Sequence, residues 1–172
     1  MRGAKGKMPI FYTVIFHLNK TTYYSLWFSD KNDKDQFLTN GEGVVFFSNC
    51  KDLAKYVSEK GLNATSDQTF YDVDVAINWL AENYSNIDCE YILALWNVAG
   101  DLAYSVNRGF TGNSSSETIR SIYDKLFWGN NLPALRGDGD IFVPQWSSNE
   151  IHELQIIVSD MVSIIKSAFS KR

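Results

Sequence analysis

Two cysteines, three prolines and two histidines are all that 172 residues contain of those types. Cys50 and Cys89 are too few for a disulfide framework and stand in neither C-x-x-C nor zinc-finger spacing. They read as small buried thiols in a reducing compartment. No apolar run approaches the ~18 residues that a membrane span requires, and the basic start, Met1 to Lys7, leads into alternating residues instead of a signal-peptide core. A cytoplasmic protein is the expectation, with residues 1–7 a flexible extension. No internal repeat or low-complexity tract interrupts the chain. Neither G-x-S-x-G, a P-loop, G-x-G-x-x-G nor H-E-x-x-H occurs. The calcium-like runs at Asp30–Asp35 and Gly137–Asp140 fail position by position against an EF-hand loop. No metal and no cofactor are therefore expected.

Basic residues are scarce where it matters. Residues 61–160 hold four Lys/Arg against fourteen Asp/Glu, a net of −10, although the whole chain carries only −4. Phosphate binding needs clustered cations, so a nucleic-acid partner is disfavoured. An acidic field of that size steers a basic partner instead, unless it serves only solubility. With 45% apolar and 21% charged residues the composition is globular, and aromatics are abundant at 15%. A chain of this length buries roughly 70% of its unfolded surface, enough for a core without staples.

The N-terminal part reads as sheet. Ile10–Leu18 and Thr22–Ser29 are β-branched and aromatic runs around Asn19-Lys20-Thr21, a hairpin with a three- to four-residue turn. Aromatics on both faces of the second run imply that both faces are covered. Phe37–Thr39 and Val44–Ser48 add short strands around a turn at Asn40–Gly43. Helices follow. One runs from about Lys51 to Lys60, capped by Ser48 or Asn49 and stopped by Gly61. After a polar loop at 62–71, Asp72 or Asp74 caps a second helix, and Asp88 opens a long inner one with a wide apolar stripe. Ser114–Glu117 and Ser147–Glu150 both fit capping boxes ahead of amphipathic helices. Between those two helices, residues 130–145 form an irregular segment long enough for a binding loop, with Ile141–Val143 a candidate strand. Strands first and helices after predict an α+β fold: an antiparallel sheet of three to four strands (8–48) against a bundle of about five helices (49–172), in one domain over 8–172.

Chemistry is sparse in this pattern. His17 in a strand and His152 in a first helical turn sit in no motif and read as structural. Asp72 and Asp74 at a helix start are explained by capping and by the dipole, which favours anions there. Trp128, beside a Gly-Asn-Asn turn, is either packed over a helix end or an anchor for a partner, since Trp is frequent at interface hot spots.

A small, acidic α+β chain of this layout resembles the immunity proteins that accompany bacterial polymorphic toxins, including those of contact-dependent growth inhibition. The resemblance rests on size, charge and layout. It implies a non-catalytic protein that neutralises one cognate basic toxin by covering its active site with acidic side chains; the candidates for that contact, chosen by charge and by their places in loops or helix starts and not by any family motif, are Asp72, Asp74, Asp138 and Asp140, with Trp128 as the apolar anchor. The competing reading is a small enzyme or ligand-binding module whose aromatics, Tyr23, Tyr24, Trp27, Phe46, Phe47, Trp79 and Trp96, line a pocket between sheet and helices. A homodimer through an aromatic face is the third.

Overall fold

The structure is a computed structural model and describes residues 8–82, 86–136 and 139–170; the expected extension at 1–7 lies outside them. Strand β1 (Phe11–Leu18) pairs antiparallel with β2 (Thr21–Ser29). Leu18 faces Thr21, so the turn is only Asn19-Lys20, with φ values of 50° and 62°. Two successive left-handed residues are the signature of the type I′ turn, whose twist matches the strands, and this shortens the expected turn to two residues. Beyond β2 lie β3 (Asp35–Phe37) and, further along the same edge, β6 (Phe46–Phe47). A separate small ladder joins β4 (Thr39–Asn40) to β5 (Gly43–Val44). The continuous strand expected over Val44–Ser48 is thus broken at Val45, whose carbonyl accepts a 2.8 Å hydrogen bond from the fully buried Ser25 hydroxyl.

Helix α1 (Cys50–Lys60) is capped by Asn49, whose side chain accepts from the Asp52 amide, and ends at Gly61 with φ of 60°. The residues after it form strand β7 (Ala64–Asp72), parallel to β1, with Val14 facing Thr69 and Phe16 facing Tyr71. Two expectations are corrected here: residues 64–72 are a strand and not a polar loop, and the sheet is mixed and not antiparallel throughout. The α+β division holds, with the sheet in the N-terminal half and the helices mainly after it. Cys50, expected to be buried, is exposed at the first residue of α1, while Cys89 is buried.

Helices α2 (Val73–Ala81), α3 (Cys89–Ser105), α4 (Glu117–Gly129), the single turn α5 (Pro133–Arg136) and α6 (Ser148–Ala168) complete the chain. Alternation along the strands explains the layering, because successive side chains leave opposite faces. Val14, Phe16 and Leu18 of β1 join Leu102, Ile165 and their neighbours on α3 and α6 in the main core. Phe11 and Leu26 pack with Leu53 of α1 on the other face, so both faces of the sheet are covered, as the aromatic pattern implies. Ser147 and Glu150 form the expected capping box at α6. At α4 the cap is Ser116, accepting from Ile119 at 3.3 Å. Ser114 closes the preceding 3₁₀ turn, Thr111–Asn113, through its own amide, so no capping box spans Ser114–Glu117.

Candidate functional site

The first two candidate acids end β7 and begin α2. Asp72 is the N-cap and accepts from the Asp74 amide at 3.1 Å. Asp74 reaches across to the hairpin turn, where its two oxygens accept the Asn19 and Lys20 amides at 2.7 and 3.1 Å. Those are the two left-handed residues, so the carboxylate holds the turn in its strained conformation. Burial pushes the Asp74 carboxyl up, but the two amides, with the charges of His17 and Lys166, outweigh it and hold the group below its ordinary value. Tyr91 completes this corner, donating to the Asp72 carbonyl at 2.6 Å and accepting from the Ala76 amide at 3.1 Å. His17, Asp72 and Asp74 bring potential metal-ligating atoms within 4.8 Å of one another. Both Asp74 oxygens and one of Asp72 already accept backbone amides, so capping and turn support account for the trio. Both aspartates are half-buried, and the Asp74 side chain remains 26% exposed.

Trp128 is different. It is 54% exposed at the end of α4, and Glu117, Arg120 and Asp124 on the same helix stripe join it and Phe142 around a depression of about 390 Å³. Leu132, Leu135, Ile141, Phe142 and Val143 are exposed in the segment that follows. No strand forms at Ile141–Val143. The Asn131 amide takes that place: Oδ1 accepts from the Phe142 amide at 2.7 Å, and Nδ2 donates to the Phe142 and Gly129 carbonyls, each at 2.9 Å. The far end is tied by Lys125, whose Nζ donates to the Gln145 carbonyl at 2.7 Å and to Glu150 at 2.6 Å, 5.6 Å from the Trp146 ring centre. Phe142 and its neighbours are therefore displayed between two points of attachment, Asn131 to Phe142 and Lys125 to Gln145. Asp140 is exposed on it, two residues before Phe142; Asp138 lies outside the described residues. Sequence reasoning named Trp128 and marked residues 130–145 as long enough for a binding loop, but it chose no side chain of Ile141–Val143 as a contact, because it read that run as a short strand.

A polar groove of about 620 Å³ lies on the other flank of α4. Its floor is the α3 stripe of Trp96, Asn97, Gly100, Asp101 and Tyr104; Lys34 and Asp35 stand on one side, the 3₁₀ turn and Tyr123 on the other. Burial pushes the Asp101 carboxyl up and Asp35 adds to the rise, against a 2.9 Å hydrogen bond from the Trp27 indole and the charge of Lys34. Of the aromatics expected to line a pocket, Trp96 does so. Tyr23 stacks on Phe169, Phe46 meets that ring edge-on, and Phe47 lies against Tyr56, all as packing.

Comparison with protein-family models, curated proteins and solved structures found no match to this chain. Among the described residues, no helix is long and apolar enough to cross a membrane.

Proposed function

We propose that the chain is a non-catalytic, cytoplasmic binding protein of the immunity type, which neutralises a basic toxin by covering it with the surface around Trp128. One observation carries the reading: apolar side chains exposed at Trp128, Leu132, Leu135 and Ile141–Val143, of which Trp128 and Phe142 line one depression and Phe142 is held by Asn131. Exposed apolar patches of this kind mark interaction sites, and fixing the patch in advance lowers the ordering cost of association. Its surroundings match the anatomy of an interface, an aromatic centre with a polar rim. Glu117 and Asp124 share the depression with Arg120 and Lys125, and Asp140 is exposed two residues before Phe142, so the rim carries both signs with a small acidic excess. In this reading Trp128 and Phe142 are the anchors, Asp140 and Asp138 belong to the rim, and Asp72 and Asp74 contribute to the long-range field instead of direct contacts.

Affinity capture from the native host, run in parallel with wild type and a Trp128→Ala/Phe142→Ala variant, tests the assignment. A basic protein retained by wild type at low salt and lost by the variant supports it. Equal retention by both, or no basic protein with wild type, refutes it.

A further inference from the structure

The groove beside α4 has a chemistry of its own. Tyr123 of α4 lines it, and Glu117, Asp124 and Trp128 of the same helix line the depression, so α4 is the wall shared by the two. Four ionised side chains border the groove: Lys34, Asp35, Asp101 and Arg108. Arg108 is committed elsewhere, its guanidinium donating to Asp160, Ser163 and Ser167 on α6. Two carboxylates then face one ammonium, and that ammonium shows what the groove favours: Lys34 Nζ sits 4.6 Å from the centre of the Tyr104 ring. A cation over an aromatic face beside carboxylates is a favourable arrangement, and a planar guanidinium exploits it better than an ammonium, by stacking while it donates in a fork.

The floor supplies a second, separate observation. Gly100 lies in the interior of α3, where glycine costs roughly 1 kcal/mol relative to alanine. At Gly112, across the groove, the fold demands glycine, because a Cβ would meet the Phe110 and Trp96 rings at 2.5–2.8 Å. Nothing comparable holds at Gly100, where a Cβ would meet only the Phe110 ring at 3.8–3.9 Å, ordinary contact. Packing leaves the missing methyl unexplained. A bare backbone at that point lets a flat group approach α3 closely, and departures from local preference collect where function requires them.

We infer that the groove is a guanidinium receptor, taking an arginine side chain of the partner in exchange for Lys34 at the Tyr104 ring, over the bare Gly100 floor and beside the Asp35 and Asp101 carboxylates. This rests on the binding-protein reading above and names a contact for it.

The test uses this chain alone. Nα-acetyl-arginine methylamide is titrated into the labelled protein while the Trp27 indole N–H, hydrogen-bonded to Asp101, is followed by NMR; the citrulline analogue serves as the neutral isostere. The arginine probe should shift that signal saturably, with the citrulline probe at least tenfold weaker. Asp101→Asn keeps an acceptor for the indole yet should abolish the shift, and Tyr104→Leu, at a half-exposed position, should weaken it several-fold. Gly100→Ala should raise Tm by roughly 2–4 °C, as relief of a helix-interior glycine does in a chain of this size, and at the same time weaken the probe several-fold. Equal binding of both probes, an undiminished shift in Asp101→Asn, or unchanged affinity in Gly100→Ala overturns the inference. Probe binding without any captured basic partner would retire the immunity reading and keep the groove; a captured partner without probe binding would retire the groove alone.

Discussion

Replacing Glu150 with glutamine isolates one charge at the joint between the display segment and α6. The wild-type carboxylate accepts from Lys125 at 2.6 Å and from the Ser147 amide and hydroxyl at 2.9 Å each. Burial alone pushes its pKa up; the Lys125 and Ser147 bonds more than reverse this and bring it from 4.5 down to about 2. At 1.36 kcal/mol per pH unit that displacement corresponds to roughly 3 kcal/mol, which solvent screening of a pair near the surface reduces to about 1–2 kcal/mol. Glutamine retains an acceptor for the cap but not the charge. A folded pKa below the unfolded one stabilises the protein above the unfolded value and ceases to do so as the carboxylate protonates. The wild-type advantage over Glu150→Gln should therefore be full at pH 6–7, shrink as pH falls below 4.5, and be nearly gone close to pH 2. Urea unfolding of both proteins at a series of pH values measures it, and thermal melts at neutral pH should differ by several degrees. A difference that stays flat from pH 7 to 3, or no difference at pH 7, would show that the charge on Glu150 does not carry the effect.

Two further substitutions probe the scaffold. Asp74→Ala removes the acceptor for both turn amides and should cost about 1–2 kcal/mol, with amide exchange at Asn19 and Lys20 accelerated; unchanged protection there would mean that the turn holds itself. Leu102→Ala, at a fully buried position of α3, should cost about 2–5 kcal/mol by leaving a cavity, seen as a lower urea midpoint with the same slope, and a loss under 1 kcal/mol would contradict the packing described.

The parts of the fold legible in the sequence were those written in local grammar. Gly61 stops α1, Asp88 caps α3 and Ser147 with Glu150 caps α6, each because a side chain or a left-handed glycine satisfies amides or carbonyls a few residues away. Strand β7 was illegible for the converse reason. As the edge strand it contributes mainly backbone to the ladder, most of its side chains are exposed, and no alternation of apolar residues marks it. The break at Val45 depends on Ser25, twenty residues earlier, a pairing that no pattern announces. For the candidate site, Trp128 could be named from its type and its place beside a turn. Phe142 could not, since its exposure depends on the Asn131 amide occupying its backbone. The groove joins a stripe of α3 to residues from β3, the 3₁₀ turn and α4, and only the tertiary fold brings them together.

The parallel pairing of β1 with β7 also governs the order in which the chain can acquire its shape. Val14 meets Thr69, 55 positions later, and closing a loop of that length costs roughly 3–4 kcal/mol of chain entropy. The β1–β2 hairpin closes over two residues and can form as soon as it leaves the ribosome, while the other side of β1 waits until residue 72 has been made. Until then the most apolar strand of the sheet has an open flank of amides and carbonyls, the template that recruits foreign strands. A nascent chain stalled within α1 is consequently the form most prone to aggregate.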